Sequence, residues 1–421
     1  MTNQPTQRTA NTVLIACICI NLCIGVLYAW SVIKSQLMAP VSEGGFGWSS
    51  TEAGIPYTVA IISLATAMLF GGRLQDKLGP RIVVMIGGAL AGVGIALSGF
   101  VGNSLIGMCL CFGVLGAAGM GFGYGSVTPP AIKWFHPTKK GMISGLVVAG
   151  FGISPVYFAP LANMMMINFG IERALLFMGI SIFVITVTAA QFIKNPPAGY
   201  VPPTPSKIKK ATANASATAA APPVDHTRIE MLRTPRFYLM FTMFLMTASV
   251  GLMFIGNMTK IAQTQVGITD SSTLALMVSF LAITNTLGRI VGGTVSDKIG
   301  RFRALYMVFI IQAVNLAVFM FYSNMFLLLI GIIGVGFCFG TLLSVFPALT
   351  ADQYGLKNIG ANYGVMFMAW GFAGLIAPTI ANYLYDLQGN FNTAYIMCAC
   401  VMVVMIFVNF VLQKNIAKLS A

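Results

Sequence analysis

Apolar residues occur along this chain in long continuous stretches separated by short polar loops. About twelve such stretches can be distinguished, each of about 20 to 27 residues, which is enough to cross a hydrocarbon core of about 30 Å as a helix. Barrel strands would instead alternate over about ten residues. The pattern therefore predicts an all-α membrane protein with twelve transmembrane helices. The predicted helices begin near Thr12, Ala53, Ile82, Ser104, Gly141, Ala174, Phe237, Ser271, Ala304, Met325, Ile359 and Asn392.

The composition supports a membrane protein. Hydrophobic residues make up 57% of the 421 residues and charged residues only 8%, which is more apolar surface than a soluble domain of this size could bury. The first eleven residues are polar and lead into a predicted helix of full length, so no cleaved signal is expected. We therefore expect the lipid bilayer to be the main partner of this chain, and we expect a monomer.

The basic residues predict which side of the membrane each loop faces. Only Lys34, Arg173 and Lys260 fall in the predicted outer loops, and Arg289 lies within a helix, so 20 of the 24 Lys and Arg residues lie on one side. Basic residues concentrate on the cytoplasmic side of membrane proteins. The sequence thus predicts a multi-pass protein of the inner (plasma) membrane with both termini in the cytoplasm. The net charge of +14 is explained by this topology, and no nucleic-acid partner is expected.

A repeated loop divides the chain into two halves. The pattern Gly-x-x-x-Asp-Lys-x-Gly begins at Gly72 and again at Gly293, 221 residues later, and each copy closes an apolar stretch. Such a repeat predicts two pseudo-symmetric six-helix bundles. The only long polar stretch, rich in Pro, Ala, Thr and Lys, lies between them. We therefore expect a first bundle over residues 1–193, a cytoplasmic linker over 194–236 and a second bundle over 237–421.

Arg289 is the only charge well inside a predicted helix. Such an arginine costs about 3 kcal/mol on membrane-insertion scales, so it suggests a bound anion; the alternative is an arginine that reaches the membrane surface or binds helix carbonyls. Subtracting 221 from Arg289 and Asn285 gives Met68 and Leu64. The first half therefore builds the equivalent helix without either polar side chain, which favours a functional role for both.

No constellation of side chains indicates an enzyme. The eight cysteines lie in apolar stretches, and three pairs are spaced by two residues, which points their side chains apart on a helix. Both histidines, His136 and His226, fall in predicted loops. We expect neither a catalytic centre, nor a metal site, nor a cofactor.

The repeated loops resemble the hallmark motif of the major facilitator superfamily. This resemblance implies two six-helix bundles around a central site that opens alternately to each side of the membrane. It also implies gating roles for Asp76 and Asp297, which are expected at helix ends, where they would bind helix N-termini or basic residues in one conformation.

A closer resemblance is to the oxalate/formate antiporter group and the monocarboxylate porters. It rests on residues 231–237, on the helix with Arg289, and on Asn362-Tyr-Gly. Dicarboxylate exchangers of that group carry a lysine where this chain has Trp370, and a single cation suits a monocarboxylate. Animal porters carry an aspartate where this chain has Asn285, one turn from the arginine. The resemblance implies a lactate-type monocarboxylate transporter coupled to protons, or alternatively a carboxylate exchanger.

Further site residues follow from the helices that line the centre of such transporters. Tyr28, Tyr124 and Tyr157 are candidate hydroxyl donors to a small organic anion. The bundles align Phe151 with Trp370, 219 residues later, so these two are expected to face each other as an apolar wall around the acid. Lys34, at the outer end of the first helix, is expected to attract anions to the mouth of the transporter or to anchor the helix at the interface.

Overall fold

Long helices account for nearly all of the structure, a computed structural model that describes residues 7–197, 199–202 and 225–420. Eleven helices in this part of the chain are long and apolar enough to cross a membrane. One of them, Pro137–Ala190, contains two helices, because Gly170 interrupts it with a φ of 80° and a ψ of 163°. Twelve spanning helices result, so the predicted all-α membrane fold is confirmed.

The first six helices are formed as follows. They are α1 (Gln7–Ala29), α2 (Ser50–Leu78), α3 (Pro80–Ser98), α4 (Leu105–Trp134), α5 (residues 140–169) and α6 (residues 171–190). The second six are α7 (Pro235–Val266), α8 (Ser271–Ile299), α9 (Arg301–Phe319), α10 (Met325–Tyr354), α11 (Ile359–Gln388) and α12 (Asn392–Ser420). Because the chain crosses the membrane an even number of times, its two ends lie on the same side of the membrane. We call this side the terminal side and the opposite side the distal side.

Local sequence signals set the helix ends. Ser49 and Glu52 form a reciprocal capping box at the start of α2, which pairs two backbone N–H groups that the first helical turn leaves free. The repeated loops reverse the chain through Gly79 and Gly300, whose φ angles of 85° and 93° are costly for any residue with a Cβ. The last glycine of each motif therefore makes the tight turn from α2 to α3 and from α8 to α9.

Two helix pairs bring the bundles together: α2 packs against α11, and α5 against α8. At the terminal side their backbones touch through glycines. A Cβ on Gly72 would lie 1.9 Å from the carbonyl oxygen of Gly360, and a Cβ on Gly293 would lie 2.2 Å from that of Gly141. The first glycine of each repeated motif thus lets a helix of one bundle approach a helix of the other as closely as in small-residue membrane interfaces.

Two helices depart from regular geometry. α1 ends in a 3₁₀ turn, Gly25–Ala29, and continues as a short helix, Trp30–Met38. α4 contains a π-helical stretch, Cys109–Gly116, of the kind that often accompanies functional sites. Neither irregularity was predicted from the sequence.

The end of the linker is attached to the second bundle. The backbone N–H of His226 donates to Tyr354 O over 3.0 Å, and its carbonyl accepts from the side chains of Asn358 (3.1 Å) and Asn362 (3.0 Å). A short helix, Arg228–Leu232, then starts with a Thr227–Glu230 capping box, and these hydrogen bonds lower the pKa of the Glu230 carboxyl. Residues 203–224 lie outside the described part, so the domain boundaries of the sequence analysis stay a prediction.

Candidate functional site

Arg289 lies between the two bundles with none of its surface exposed. Its Nε donates to Asn285 Oδ1 over 2.8 Å, and Nη1 donates to the backbone carbonyl of Val148 in α5. Its second terminal nitrogen, Nη2, makes no hydrogen bond of regular geometry within the part of the chain that the structure describes, although the Tyr28 hydroxyl lies within reach of the guanidinium. The arginine therefore neither reaches the surface nor uses all its donors, and one N–H edge is left for another acceptor.

Glycines of α5 make room for this arginine. A Cβ on Gly145 would lie 2.1 Å from the backbone oxygen of Arg289, so α5 and α8 touch at this level. A Cβ on Gly152 would lie 3.0 Å from both Cζ and Nε of the guanidinium. The position of the charge thus depends on two helix positions that lack a side chain, together with the Asn285 oxygen that fixes the plane of the guanidinium.

Three tyrosines lie near the guanidinium. The hydroxyl of Tyr28 in α1 is within hydrogen-bonding reach of Arg289, and those of Tyr124 in α4 and Tyr363 in α11 are close enough to interact with its charge. Tyr28 and Tyr124 were expected from the sequence, whereas Tyr363 was missed. The sequence contained an indication for Tyr363, since this residue is the centre of the Asn-Tyr-Gly motif and lies seven residues, or two helical turns, before Trp370.

A small cavity lies beside these groups. Its volume is about 10 Å³, roughly the space for one water molecule. Aromatic rings dominate its wall: Phe151 packs edge-on against Tyr28 and Tyr124, each at 4.9 Å, and Phe367 stacks on Trp370 at 5.1 Å. The structure thus brings together both residues of the expected apolar wall. The lining consists of Tyr28, Leu64, Tyr124, Phe151, Leu343, Phe367 and Trp370.

Two further donors of α11 are buried without a partner. The indole Nε1 of Trp370 and the hydroxyl of Tyr363 make no hydrogen bond with the described residues, although both side chains are almost fully buried. A buried donor without an acceptor costs about 1 to 3 kcal/mol. Arg289 Nη2 is a third buried donor without a partner among the described residues, and it alone carries a positive charge, which an anion would balance.

Tyr157 lies elsewhere. It is 41% exposed, and its hydroxyl donates to the carbonyl of Leu22 in α1 over 2.6 Å. Six residues separate it from Phe151, which turns it about 120° away around the helix. The expectation that Tyr157 binds a substrate does not fit this placement, because its hydroxyl already has an acceptor and faces the outside of the bundle.

The terminal side is closed by contacts between the bundles. Asp297, at the end of α8, accepts from the backbone N–H groups of Gly141 (2.8 Å) and Met142 (2.7 Å) at the start of α5. Arg301 pairs with Asp297 at 2.6 Å and with Asp352 at 3.0 Å. Lys140 of the first bundle pairs with Asp352 at 2.8 Å. We call Lys140, Asp297, Arg301 and Asp352 the ion-pair cluster.

The other copy of the motif makes a simpler contact. Asp76, at the end of α2, accepts from the backbone N–H of Ala361 at the start of α11 over 2.9 Å, and the backbone N–H of Gly360 also lies near this carboxylate. Position 80, which corresponds to Arg301, is a proline, so no arginine follows one turn later. Both aspartates thus bind the N-terminus of a helix in the opposite bundle, where the helix dipole favours a negative charge, but only Asp297 belongs to an ion-pair cluster.

On the distal side, Lys34 of the first bundle is near enough to Lys260 of the second for their charges to repel. Burial and then the like charge of Lys260 lower the pKa of the half-buried Lys34 ammonium. The Lys260 ammonium lies over the ring of Tyr385 at 3.9 Å. Two cations contributed by different bundles therefore stand at the distal end.

Comparison with known proteins gives a consistent result. A sequence profile described as Major Facilitator Superfamily matches residues 12–346. The chain is 29% identical to YhjX, an uncharacterized MFS-type transporter of Escherichia coli (strain K12), over 380 residues that cover 89% of this chain and 88% of that protein. It is 28% identical to the oxalate:formate antiporter of Oxalobacter formigenes over 379 residues, or 89% of this chain and 84% of the antiporter. It is 26% identical to monocarboxylate transporter 13 of Rattus norvegicus over 381 residues, with 89% and 82% covered.

Solved structures share the fold. The human organic anion transporter MFSD10 superposes with a TM-score of 0.69 at 14% identity, covering 96% of this chain and 100% of that one. The transporter FucP in its outward conformation superposes with a TM-score of 0.64, also at 14% identity, covering 95% and 99%. At 14% identity these comparisons show a shared fold and nothing more. The profile and sequence matches confirm the resemblance drawn from the sequence motifs.

Proposed function

Because the chain belongs to the major facilitator superfamily, we propose that it is a secondary transporter that moves small monocarboxylates of the lactate type by alternating access. One observation carries this proposal: the Nη2 edge of a fully buried arginine makes no regular hydrogen bond with any residue that the structure describes. A carboxylate would supply that acceptor and the compensating charge together. A single buried cation balances one carboxylate, which favours monoanions over dianions.

The side chains around Arg289 divide into positioning and contact groups. Asn285 holds the guanidinium through Nε and leaves the terminal nitrogens for the substrate. Tyr28 and Tyr124 supply hydroxyls beside the charge, and Phe151 faces the cavity as an apolar contact for the short carbon chain. The cavity of about 10 Å³ is smaller than any such acid. Substrate binding therefore requires the bundles to separate on one side.

The contacts between the bundles at the terminal side support a proposal for the side on which the bundles separate. The excess of basic residues supports a cytoplasmic terminal side, and we propose an inner (plasma) membrane location on this ground. The ion-pair cluster and the contact of Asp76 with α11 close this side, whereas Lys34 and Lys260 repel each other at the distal, outer end. We therefore assign gating roles to Asp76 and Asp297. Lys34 would favour an open outer mouth and attract anions to it.

The coupling mode has two candidates. The resemblance to monocarboxylate porters implies symport with protons. A specific observation favours exchange instead: Asn285 occupies the position of the porters' aspartate and cannot carry a proton, and among the described residues Asp76, Asp297 and Asp352 are engaged at the gate. Without a carboxylate near Arg289, the substrate-free site keeps an uncompensated positive charge. The change of the substrate-free protein from one open form to the other is therefore costly.

Uptake into proteoliposomes tests both the substrate class and the mode. Labelled L-lactate, pyruvate and formate are expected to enter saturably, and oxalate to enter more slowly. An inward-directed proton gradient would drive accumulation in a symporter, whereas an exchanger would need an internal carboxylate and would ignore the gradient. Failure of every monocarboxylate to enter, by protein that is monodisperse and folded, would contradict the proposed function.

The glycine beside the guanidinium gives a second prediction. Gly152→Ala places a methyl group 3.0 Å from Cζ and Nε of Arg289, so the charge must shift away from its position. Overpacking of this kind costs about 1 to 3 kcal/mol, and the KM for uptake should rise about tenfold. Gly256→Ala is the matched control, because its methyl group would meet Pro378 at an ordinary 3.6 Å. Equal KM values for the two variants would show that the position of Arg289 does not set the affinity.

A further inference from the structure

The second bundle holds the end of the linker as a short strap, which we define as residues 225–227. The backbone of His226 is hydrogen-bonded to the end of α10 and the start of α11, and the carboxylate of Asp225 accepts from the backbone N–H of Lys357 over 3.0 Å. Gly355 makes room for this carboxylate, because a Cβ there would lie 2.2 Å from Asp225 Oδ1. The turn between α10 and α11 is therefore shaped to hold the strap.

The strap also faces the first bundle. The charge of Lys133, at the end of α4, interacts with the carboxylates of both Asp76 and Asp225. Asp76 accepts from the first turn of α11. Asn362, in the same turn, donates to the His226 carbonyl over 3.0 Å. The strap and the gate contact of Asp76 thus share one cation and one helical turn, so docking of the strap supports closure of the terminal side.

The imidazole of His226 is the part of the strap that can gain a charge. Its Nε2 lies 3.1 Å from Nη2 of Arg236, at the start of α7. Because an arginine only donates hydrogen bonds, Nε2 must be the acceptor and carries no proton in this contact. Protonation would place two donors and two positive charges against each other at this distance. The docked strap therefore requires a neutral imidazole.

The other groups around the imidazole do not remove this conflict. The Tyr354 ring packs edge-on against it at 5.7 Å and also lies under the Arg236 guanidinium. The two asparagines that bind the strap carbonyl are neutral, and Asp225 is engaged by the turn before α11. Glu230 favours a charged imidazole, but its carboxylate is exposed, holds the capping box and interacts with Arg233 as well. Solvent screens such an exposed charge, so the direct contact with Arg236 dominates.

We propose that the strap is a pH switch of the terminal side: protonation of His226 releases residues 225–227 from the second bundle and favours the form that is open on this side. Docking is complete above a pH of about 6.5, the pKa of a free imidazole, and is lost as the pH falls below it. Release takes up one proton, so its equilibrium constant rises about tenfold between pH 7.5 and pH 5.5. This inference goes beyond the proposed function, because it concerns the gate and holds for any substrate.

Hydrogen exchange followed by mass spectrometry, on the full-length protein in lipid nanodiscs, tests the switch without a substrate. The backbone N–H groups of His226 and Lys357 report docking, because they donate to Tyr354 O and to Asp225. After correction for the intrinsic pH dependence of amide exchange, both should exchange about tenfold faster at pH 5.5 than at pH 7.5. The N–H of Gly267, at the distal end of α7, is the reference and should not change.

Three variants separate the switch from other effects of acid. His226→Gln keeps an acceptor for Arg236 but cannot take up a proton, so exchange of the strap should stay slow at both pH values. Arg236→Gln removes the cation that opposes protonation, so the pH response should also shrink there, which keeps the test decisive if His226→Gln does not fold. His136→Gln changes the only other histidine of the sequence, in the turn between α4 and α5, and should keep the wild-type response.

Exchange at the strap that is independent of pH in the wild type would overturn the inference. A full response in His226→Gln, or a lost response in His136→Gln, would do the same. The N–H of Ala361, which donates to Asp76, reports the gate itself and should also exchange faster in acid. If it stays protected while the strap is released, the strap does not control closure of the terminal side and the inference fails.

Discussion

Arg289→Ala is expected to abolish saturable carboxylate uptake. The substitution removes the fully buried positive charge that interacts with Tyr28 and Tyr124 of the cavity wall, together with the unpaired Nη2 edge. Loss of one partner of a buried ion pair costs about 3 to 5 kcal/mol, so transport should fall by a factor of about a hundred or more. Uptake into proteoliposomes measures the loss, and binding of the acid to detergent-solubilised protein should disappear with it.

The fold should tolerate this change. Burial of an incompletely paired guanidinium disfavours the folded state, so the thermal unfolding temperature of Arg289→Ala should be no lower than that of the wild type. Arg289→Lys keeps the charge but not the planar fork that also binds Asn285 and Val148, and we expect it to lose most activity. Arg303→Ala, at an exposed position at the start of α9, is the matched control and should transport normally. Wild-type uptake by Arg289→Ala would refute the anion site.

Asp297→Asn is expected to open the terminal side. The carboxylate holds two N–H groups at the start of α5 and pairs with Arg301 at 2.6 Å. Neutralising it leaves Arg301 with Asp352 and the Ser296 hydroxyl as partners. We expect the contact between the bundles to weaken by about 3 kcal/mol, which shifts the ratio of closed to open forms about a hundredfold. Uptake should slow by about tenfold or more, because return to the outward-facing form becomes unfavourable.

Ser344 provides a reporter for this gate. It is fully buried in α10 beside Gly293, where α5 and α8 meet. In a Ser344→Cys background, a thiol reagent should label residue 344 much faster once Asp297 is neutralised, and mass spectrometry follows that residue among the native cysteines. Asp76→Asn is the matched control and should have a smaller effect, since Asp76 lacks an ion-pair cluster. Equal labelling of both variants, or slow labelling in Asp297→Asn, would contradict the asymmetry of the two gates.

Several parts of the candidate site could be read from the sequence because they are polar where everything else is apolar. Arg289 and Asn285 stand out against Met68 and Leu64 of the first half, and the structure places them in contact at the centre. Asp76 and Asp297 stand out as members of a repeated loop. In each case a charge or amide is costly in the membrane, so its presence alone indicates a specific partner.

The tyrosines could not be assigned in this way. A spanning helix is apolar on all sides, so hydrophobic periodicity does not tell the face toward lipid from the face toward the centre. Tyr157 and Tyr124 therefore look alike in sequence, yet one is 41% exposed and the other 3%. Tyr363 was missed for the same reason, and Trp370 was expected to be purely apolar, because the partner of an indole N–H is not visible in a sequence.

The sequence by itself determined the number and the approximate starts of the twelve helices, the repeat of two halves and the residues whose charge requires a partner, whereas most helices are longer than the predicted 20 to 27 residues. Those features depend on hydrophobic length and on the cost of charge in lipid, both of which are local properties of the chain. Only the tertiary structure decided which partners those residues have: the start of α5 for Asp297, the start of α11 for Asp76, and none for Arg289 Nη2. These contacts join residues more than a hundred positions apart, and their geometry depends on how two helix bundles pack face to face.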